Sequence, residues 1–242
     1  MVELSIIIPY YRKERIVEKD ARGKLAFLDS LHVSYEVIAV VDGAVDATQT
    51  ILQRIGHDKL KIIAYERNRG KGYAVRKGFD LADGRFIGYI DGDLDIDVSV
   101  ISRMYEKITR AKADIVYPNK FHRESLSDVY PMRRLISFLY RICVRILFHI
   151  DIKDTQTGAK LYRREAIKAI LPHLRIDGFA FELEMCVMSA RLGYRKFQEV
   201  PVSIRRHSGS SIRYGTALGV LMDTGGIFLR NALGRIFHDE IP

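Results

Sequence analysis

Phe86-Ile-Gly-Tyr-Ile-Asp-Gly-Asp-Leu-Asp95 decides how the rest of the chain is read. An apolar run with the look of a buried strand stops abruptly at three carboxylates, Asp91, Asp93 and Asp95, spaced two apart. Open α/β sheets bind ligands outside the carboxyl ends of their strands, and this is such an end. Alternate residues of an extended segment point the same way, so the three carboxylates can converge on one point. Like charges that close repel unless a cation or donors lie among them, and clustered hard oxygens suit Mg²⁺ or Mn²⁺. The competing reading is a solvated acidic turn, because Asp and Gly are ordinary turn residues.

Upstream, strand and helix patterns alternate. Leu4–Pro9, Tyr35–Val41 and Leu60–Tyr65 are β-branched or apolar runs, and Pro9 is expected to end the first, having no N–H for a ladder. Helical stretches are expected before about Ser30, over Ala47–Ile55 and over Gly72–Leu81. That alternation predicts a mostly parallel central sheet flanked by helices. Downstream we expect helices over Val98–Ala111, Met132–Ile150, from Glu165 and over Phe181–Leu192, with strands at Asp114–Tyr117, before Arg164 and over Phe197–Ile204. Lys120–Asp128 is polar and aperiodic and is expected to be a mobile loop. No linker or repeat divides the chain, so one domain over residues 1–214 with a tail over 215–242 is expected.

The 242 residues leave ample room for a core. A formal net charge of +9 points to an anionic partner. Base-reading motifs are absent, so no nucleic acid partner is expected. The two cysteines, Cys143 and Cys186, are far apart and lack metal-type spacing. No signal-peptide pattern and no apolar run of about 20 residues occurs. These features fit a cytoplasmic protein.

Two further stretches belong with the carboxylates. Val40-Val-Asp-Gly-Ala-Val-Asp-Ala-Thr48 puts Asp42 at a second strand mouth, where it is expected to contact ligand, and Asp46 where a helix N-cap belongs. Asn68-Arg-Gly-Lys-Gly-Tyr-Ala-Val-Arg76 is a glycine-rich, basic helix start, and helix N-termini favour anions. Its spacing matches neither the P-loop nor the dinucleotide fingerprint.

The ordered set resembles the family 2 glycosyltransferases, and within them the polyprenyl- and dolichyl-phosphate mannose or glucose synthases. The set runs from Pro9-x-Tyr11 through Val41-Asp-Gly-x-x-Asp-x-Thr48, Asn68-x-Gly-Lys-Gly72 and Asp91-Gly-Asp-Leu94. It continues with Asp154-Thr-Gln-Thr-Gly158, Gly193-Tyr-x-x-x-x-Glu-Val-Pro201 and Arg206-His-Ser-Gly-Ser-Ser211. The resemblance implies a GT-A fold, a nucleotide-diphospho-sugar donor and inverting transfer of a hexose to a polyprenyl or dolichyl phosphate. It also implies Mg²⁺ or Mn²⁺ held by Asp93 and Asp91, with Asp95 where the family carries glutamine. Pro9, Tyr11, Asp42, Lys71 and Asp91 would bind the nucleotide sugar; Asp93 and Arg206 would be catalytic. Lys120, Arg133 and Ser137 would hold the acceptor phosphate. Two departures stand out: Val41 replaces the first of two family aspartates, and Tyr11-Arg12-Lys13-Glu14 replaces Tyr-Asn-Glu.

Over Met132–Leu147, Arg134, Ser137, Arg141 and Arg145 share one helical face, and Leu135, Phe138, Leu139, Ile142 and Ile146 lie opposite. Such a helix either lies in a membrane interface or packs its apolar side on the sheet; the resemblance favours the membrane, with the protein peripheral on its cytoplasmic face. A separate membrane-anchoring subunit is left open. In the tail, Leu218, Leu221, Met222, Leu229, Leu233 and Ile236 form one apolar face, for a membrane, for packing or for a dimer. A hydroxyl acceptor in glycan or lipid-linked oligosaccharide assembly is the alternative. It would need a general base, for which Glu182 or Glu184 is placed; a lipid phosphate would not. A non-catalytic nucleotide-binding relative, suggested by Val41 and Arg12, is the reading from another class.

Overall fold

The computed structural model describes residues 2–127, 131–150, 152–204 and 214–238, with side chains omitted at 127, 131–136, 214–218 and 233–238. Seven strands form one sheet: β1 (Leu4–Tyr10), β2 (Tyr35–Asp42), β3 (Leu60–Tyr65), β4 (Phe86–Ile90), β5 (Ile115–Pro118), β7 (Ala159–Arg163) and β8 (Phe197–Val200). Their order is β3-β2-β1-β4-β7-β5-β8. Every neighbouring pair is parallel except those made by β7, which runs antiparallel between β4 and β5. A short pair, β6 (Leu126–Ser127) and β9 (Ser203–Ile204), stands apart.

Helices cover both faces, as parallel strands require. Ile6 and Ile8 of β1 pack with Val17, Leu25 and Leu28 of α1 (Val17–Ser30), Leu52 of α2 (Thr48–Ile55) and Met104 of α4 (Val100–Arg110). Ile7 points the other way, against Val75 and Phe79 of α3 (Lys71–Leu81), Ile167 of α6 (Arg164–Ile170) and Phe181 and Met185 of α7 (Phe181–Arg191). A third cluster joins α7 to α5 (Pro131–Phe148) and α8 (Tyr214–His238).

Four expectations change. Pro9 does not end β1. It pairs in register with Val40, beyond the last β1–β4 pair at Ile7–Tyr89, so its missing donor falls where the strand has one partner. Lys120–Asp128 is not featureless: Leu126–Ser127 pairs with Ser203–Ile204, and Asn119, only 1% exposed, ties the turn by donating to Glu199 and accepting from the Phe121 N–H. The strand expected over Phe197–Ile204 is two, broken at Pro201. Asp46 accepts the Thr48 N–H at 3.0 Å, but the N-cap position belongs to Ala47, whose N–H is taken by Glu14.

The amphipathic helices also differ from a simple packing picture. On α5, Phe138, Leu139, Ile142 and Ile146 are exposed, while Val144 and Phe148 fill the cluster beneath. Of the apolar face expected on α8, Leu221, Met222 and Leu229 are exposed; Leu218, Leu233 and Ile236 lie outside the described side chains. What α8 buries is another face. Ile227 is 3% exposed, Thr224 meets Tyr140 at 3.0 Å, Phe228 stacks edge-on to Phe148, and Arg230 donates to Glu184 at 2.7 Å. No described helix is long and apolar enough to cross a membrane.

Candidate active site

The carboxyl ends of β1, β2 and β4 bring Tyr10, Asp42 and Asp91 to one edge of the sheet, and the start of α3 adds Lys71. Asp91 is anchored by its N–H, which donates to the Gly158 carbonyl at 2.8 Å just before β7. A Cβ added at Gly158 would stand 1.9 Å from Asp91 Oδ2, so any larger residue there has to displace that carboxylate. The Asp91 carboxylate faces Lys71 Nζ at 2.6 Å. Lys71 is also paired with Glu182 at 2.8 Å, and Glu182 in turn with Lys160 at 3.2 Å. Lys160 is wholly buried and completes its bonds on Tyr89 Oη and the Thr155 carbonyl. A row of alternating charges, Lys160–Glu182–Lys71–Asp91, therefore runs from the core to the site.

Burial pushes the Asp91 carboxyl up to about 6; Lys71 opposes that shift and Asp93 adds to it. Burial alone would lower Lys71, but Asp91 and Glu182 outweigh it and raise the ammonium.

Asp91 and Asp93 are electrostatic neighbours, and the partner of the Asp91 Oδ1 oxygen is the Lys71 ammonium at 2.6 Å. Hard carboxylate oxygens of this kind fit Mg²⁺ or Mn²⁺, with the remaining positions left for diphosphate and water. The expected convergence of three carboxylates is corrected: among the described residues no three acidic, His or Cys side chains form a metal-holding group. Asp93 Oδ1 instead accepts the Asp95 N–H at 3.1 Å, a local turn in which the chain bends between the two residues rather than staying extended.

The other nucleotide-side residues divide. Pro9 and Tyr11 sit at the end of β1, Tyr11 exposed and beneath the Arg12 guanidinium. Asp42 is not a free ligand contact. It is 3% exposed, and its carboxylate accepts the Arg69 N–H at 2.7 Å, the Gly70 N–H at 2.9 Å and the Asn68 amide at 2.9 Å. Its role is to shape the glycine turn. The α3 N-terminus is likewise no open anion cradle, since the N–H groups of Gly72 and Tyr73 donate to the Asp177 carbonyl at 2.7 and 3.4 Å.

Glu182 and Glu184 do point apart. Glu182 belongs to the charge row. Glu184 is corrected as a candidate base: it accepts the Arg175 and Ile176 N–H groups at 2.9 and 2.8 Å and pairs with Arg230, holding the loop that caps α3.

On the acceptor side, Lys120 pairs with Asp154 at 3.0 Å. Asp154, 4% exposed, also accepts the N–H groups of Lys120 and Gln156 and the Thr157 hydroxyl. Ser137 and Arg141 of α5 join Lys120, Lys153, Asp154 and Gln156 around a cleft of about 40 Å³. The Gln156 Nε2 donor in that lining is buried without a partner. Arg133 lies on the same helix with its side chain outside the described residues, and Arg206 lies outside them altogether. Sequence reasoning missed Lys160, Gln156 and how closely Gly158 approaches Asp91, although Gln156 and Gly158 stand inside the quoted Asp154–Gly158 stretch.

The model for glycosyl transferase family 2 matches residues 5–171. Glycosyltransferase AglD of Haloferax volcanii is 28% identical over 83% of this chain, which spans 33% of that protein. Dolichyl-phosphate β-glucosyltransferases of Dictyostelium discoideum and Saccharomyces cerevisiae are each 27% identical, over 96% and 86% of this chain and 76% and 69% of their own lengths. Among solved structures, Mycobacterium tuberculosis glucosyl-3-phosphoglycerate synthase, crystallised with Mn²⁺, UDP-glucose and phosphoglyceric acid, superposes with a TM-score of 0.72 at 15% identity, over 94% of this chain and 80% of that one. The fold is of the GT-A type shared with that enzyme.

Proposed function

The chain belongs to glycosyl transferase family 2 and is a glycosyltransferase, and from that premise we propose that it moves glucose, with inversion, from a nucleotide-diphospho-sugar to a dolichyl or polyprenyl phosphate. The observation that carries the acceptor is the continuity of Asp154–Gly158. Asp154 holds Lys120 at the basic cleft, and Gly158 holds Asp91 at the sheet edge. Five residues span at most about 17 Å, so cations suited to an acceptor phosphate lie within one short segment of the donor side. The dolichyl-phosphate β-glucosyltransferases among the relatives support the same acceptor and sugar.

Asp91 and Asp93 would hold a divalent cation, which when bound neutralises the departing diphosphate. Lys71, already beside Asp91, adds a positive charge within reach of the same phosphates. Lys120, Ser137 and Arg141 orient the attacking phosphate oxygen, and Arg133 and Arg206 are proposed to assist from segments outside the described side chains. Glu182 has both oxygens engaged by lysines, which makes it a poor proton acceptor. A lipid phosphate, already ionised at neutral pH, attacks without one.

The exposed apolar residues of α5 and α8 are proposed to rest on the cytoplasmic face of a membrane, with Arg141 and Arg145 favouring anionic lipid. The test supplies UDP-glucose and GDP-mannose to the protein with Mn²⁺ and polyprenyl phosphate, followed by mass analysis of the lipid. Glucosyl phosphoryl polyprenol is expected. Transfer confined to hydroxyl acceptors, with turnover lost in Glu182→Gln, would refute the reading.

A further inference from the structure

Beneath the Asp91–Asp93 turn lies a buried lysine that none of the recognised stretches contains. Lys24, on α1, is 3% exposed. Its ammonium donates to Asp20, one helical turn away, to the backbone carbonyl of Asp91 at 3.0 Å and to that of Asp93 at 3.2 Å. An ammonium has three protons to give, so all are matched. Asp20 is equally enclosed, at 3% exposed, and its second oxygen accepts the Tyr10 hydroxyl at 2.7 Å.

Burying a lysine is costly unless charge and hydrogen bonds are both answered. Here they are answered by a carboxylate from the same helix and by the two carbonyls that belong to the metal aspartates. Between those carbonyls the turn lies hard against β1. A Cβ added at Gly92 would come within 2.5 Å of both the Pro9 carbonyl and the Tyr10 ring. The backbone of Asp91-Gly92-Asp93 is thus gripped by α1 and pressed on β1, while Asp91 is tied sideways to Gly158. Electrostatics explain why the lysine has a partner. A lone ammonium so close would oppose a cation on the carboxylates, and Asp20 cancels it.

We propose that Lys24, charge-balanced by Asp20, is a positioning residue that holds the Asp91–Asp93 backbone so that the two carboxylates are preorganised for a divalent cation. This rests on the metal-site reading above. A lysine that merely glued α1 to the sheet would affect unfolding temperature and leave cation affinity alone.

The experiment measures Mn²⁺ binding by electron paramagnetic resonance, with UDP present and no acceptor, beside thermal unfolding without metal. Lys24→Met is expected to weaken Mn²⁺ binding at least about tenfold, equivalent to about 1.4 kcal/mol. It should lower kcat in step and leave KM for the lipid phosphate unchanged. A folded Lys24→Met protein that binds Mn²⁺ as the unaltered protein does overturns the proposal. If that variant does not fold, Asp20→Asn is read instead. It strands the lysine charge next to the turn, so weaker Mn²⁺ binding supports the proposal and unchanged affinity overturns it. Absence of Mn²⁺ binding in the unaltered protein overturns the metal site itself, and Lys24's role with it.

Discussion

Replacing Gly158 by alanine adds one methyl group against the Asp91 carboxylate. An ideal Cβ there lies 1.9 Å from Oδ2 and 2.3 Å from Cγ. A relaxed carbon–oxygen contact is about 3.3 Å, so the oxygen must retreat by about 1.4 Å. The Asp91 backbone cannot follow easily, because its N–H is bonded to the Gly158 carbonyl at 2.8 Å. The side chain has to rotate, breaking its 2.6 Å pair with Lys71. The cost to folding is modest, about 1 kcal/mol for a displaced rotamer at a partly solvated carboxylate. The cost to chemistry is larger, since a misplacement of about 1 Å lowers rates on the order of 100-fold, or about 2.7 kcal/mol of barrier. Thermal unfolding, Mn²⁺ titration and kcat/KM for sugar transfer measure the two costs separately. We expect a shift of a few degrees beside a loss of about two orders of magnitude. A folded Gly158→Ala protein with undiminished kcat/KM would show that the Asp91 carboxylate does not serve the reaction.

Asp93→Ala should abolish transfer to lipid phosphate in a membrane assay with Mg²⁺ or Mn²⁺; full activity would remove it from the metal site. Glu184→Ala leaves two part-buried backbone N–H groups and Arg230 without their acceptor. It should destabilise the fold by about 2–4 kcal/mol in denaturant titration, and an unchanged midpoint would count against its structural role. Asp91 supplies a pH signature. With its folded pKa raised to about 6 from 3.8, the metal-free protein takes up a proton on folding between those values. Stability from this group is therefore present on the acid side and lost as pH rises through 6, whereas Mn²⁺ affinity, which needs the carboxylate, rises over the same range. Comparing unfolding of the protein and its Asp91→Asn variant from pH 4 to 7 isolates the first trend, and a constant difference would refute it.

The sheet and its flanking helices were readable because runs such as Ile6-Ile-Ile8 and Val37-Ile-Ala-Val-Val41 alternate with helical periods over a single chain direction. The antiparallel setting of β7 was not, since strand order depends on contacts between distant segments. The two short strands Leu126–Ser127 and Ser203–Ile204 carry too few residues for any period to register. At the site, residue type and order pointed to Asp91 and Asp93, yet not to the division of work around them. Asp42 looked like a ligand contact because a carboxylate at a strand mouth is ambiguous until its donors are seen. Glu182 and Glu184 are indistinguishable by spacing, and only the path of residues 175–177 separates them. The apolar residues of α8 were counted onto one face, but the helix buries Thr224, Ile227 and Asn231 instead, a choice set by the partners α5 and α7.

The row Lys160–Glu182–Lys71–Asp91 has a consequence for how ligands assemble. Its four charges cancel in pairs and leave Asp93 as the unbalanced carboxylate beside them, and a cation shared by Asp91 and Asp93 would have to displace Lys71 from Asp91. A diphosphate alone meets Asp91 and Asp93 and is repelled. On the proposed metal reading, Asp91 and Asp93 would hold a cation arriving with the diphosphate, and Lys71 would be free to answer the phosphates. Affinity for each would then be conditional on the other, and such a linkage is reciprocal by thermodynamic necessity. On that reading the site would discard a nucleotide stripped of its metal, and its occupancy in a cell would follow the concentration of the metal–nucleotide complex rather than that of either component.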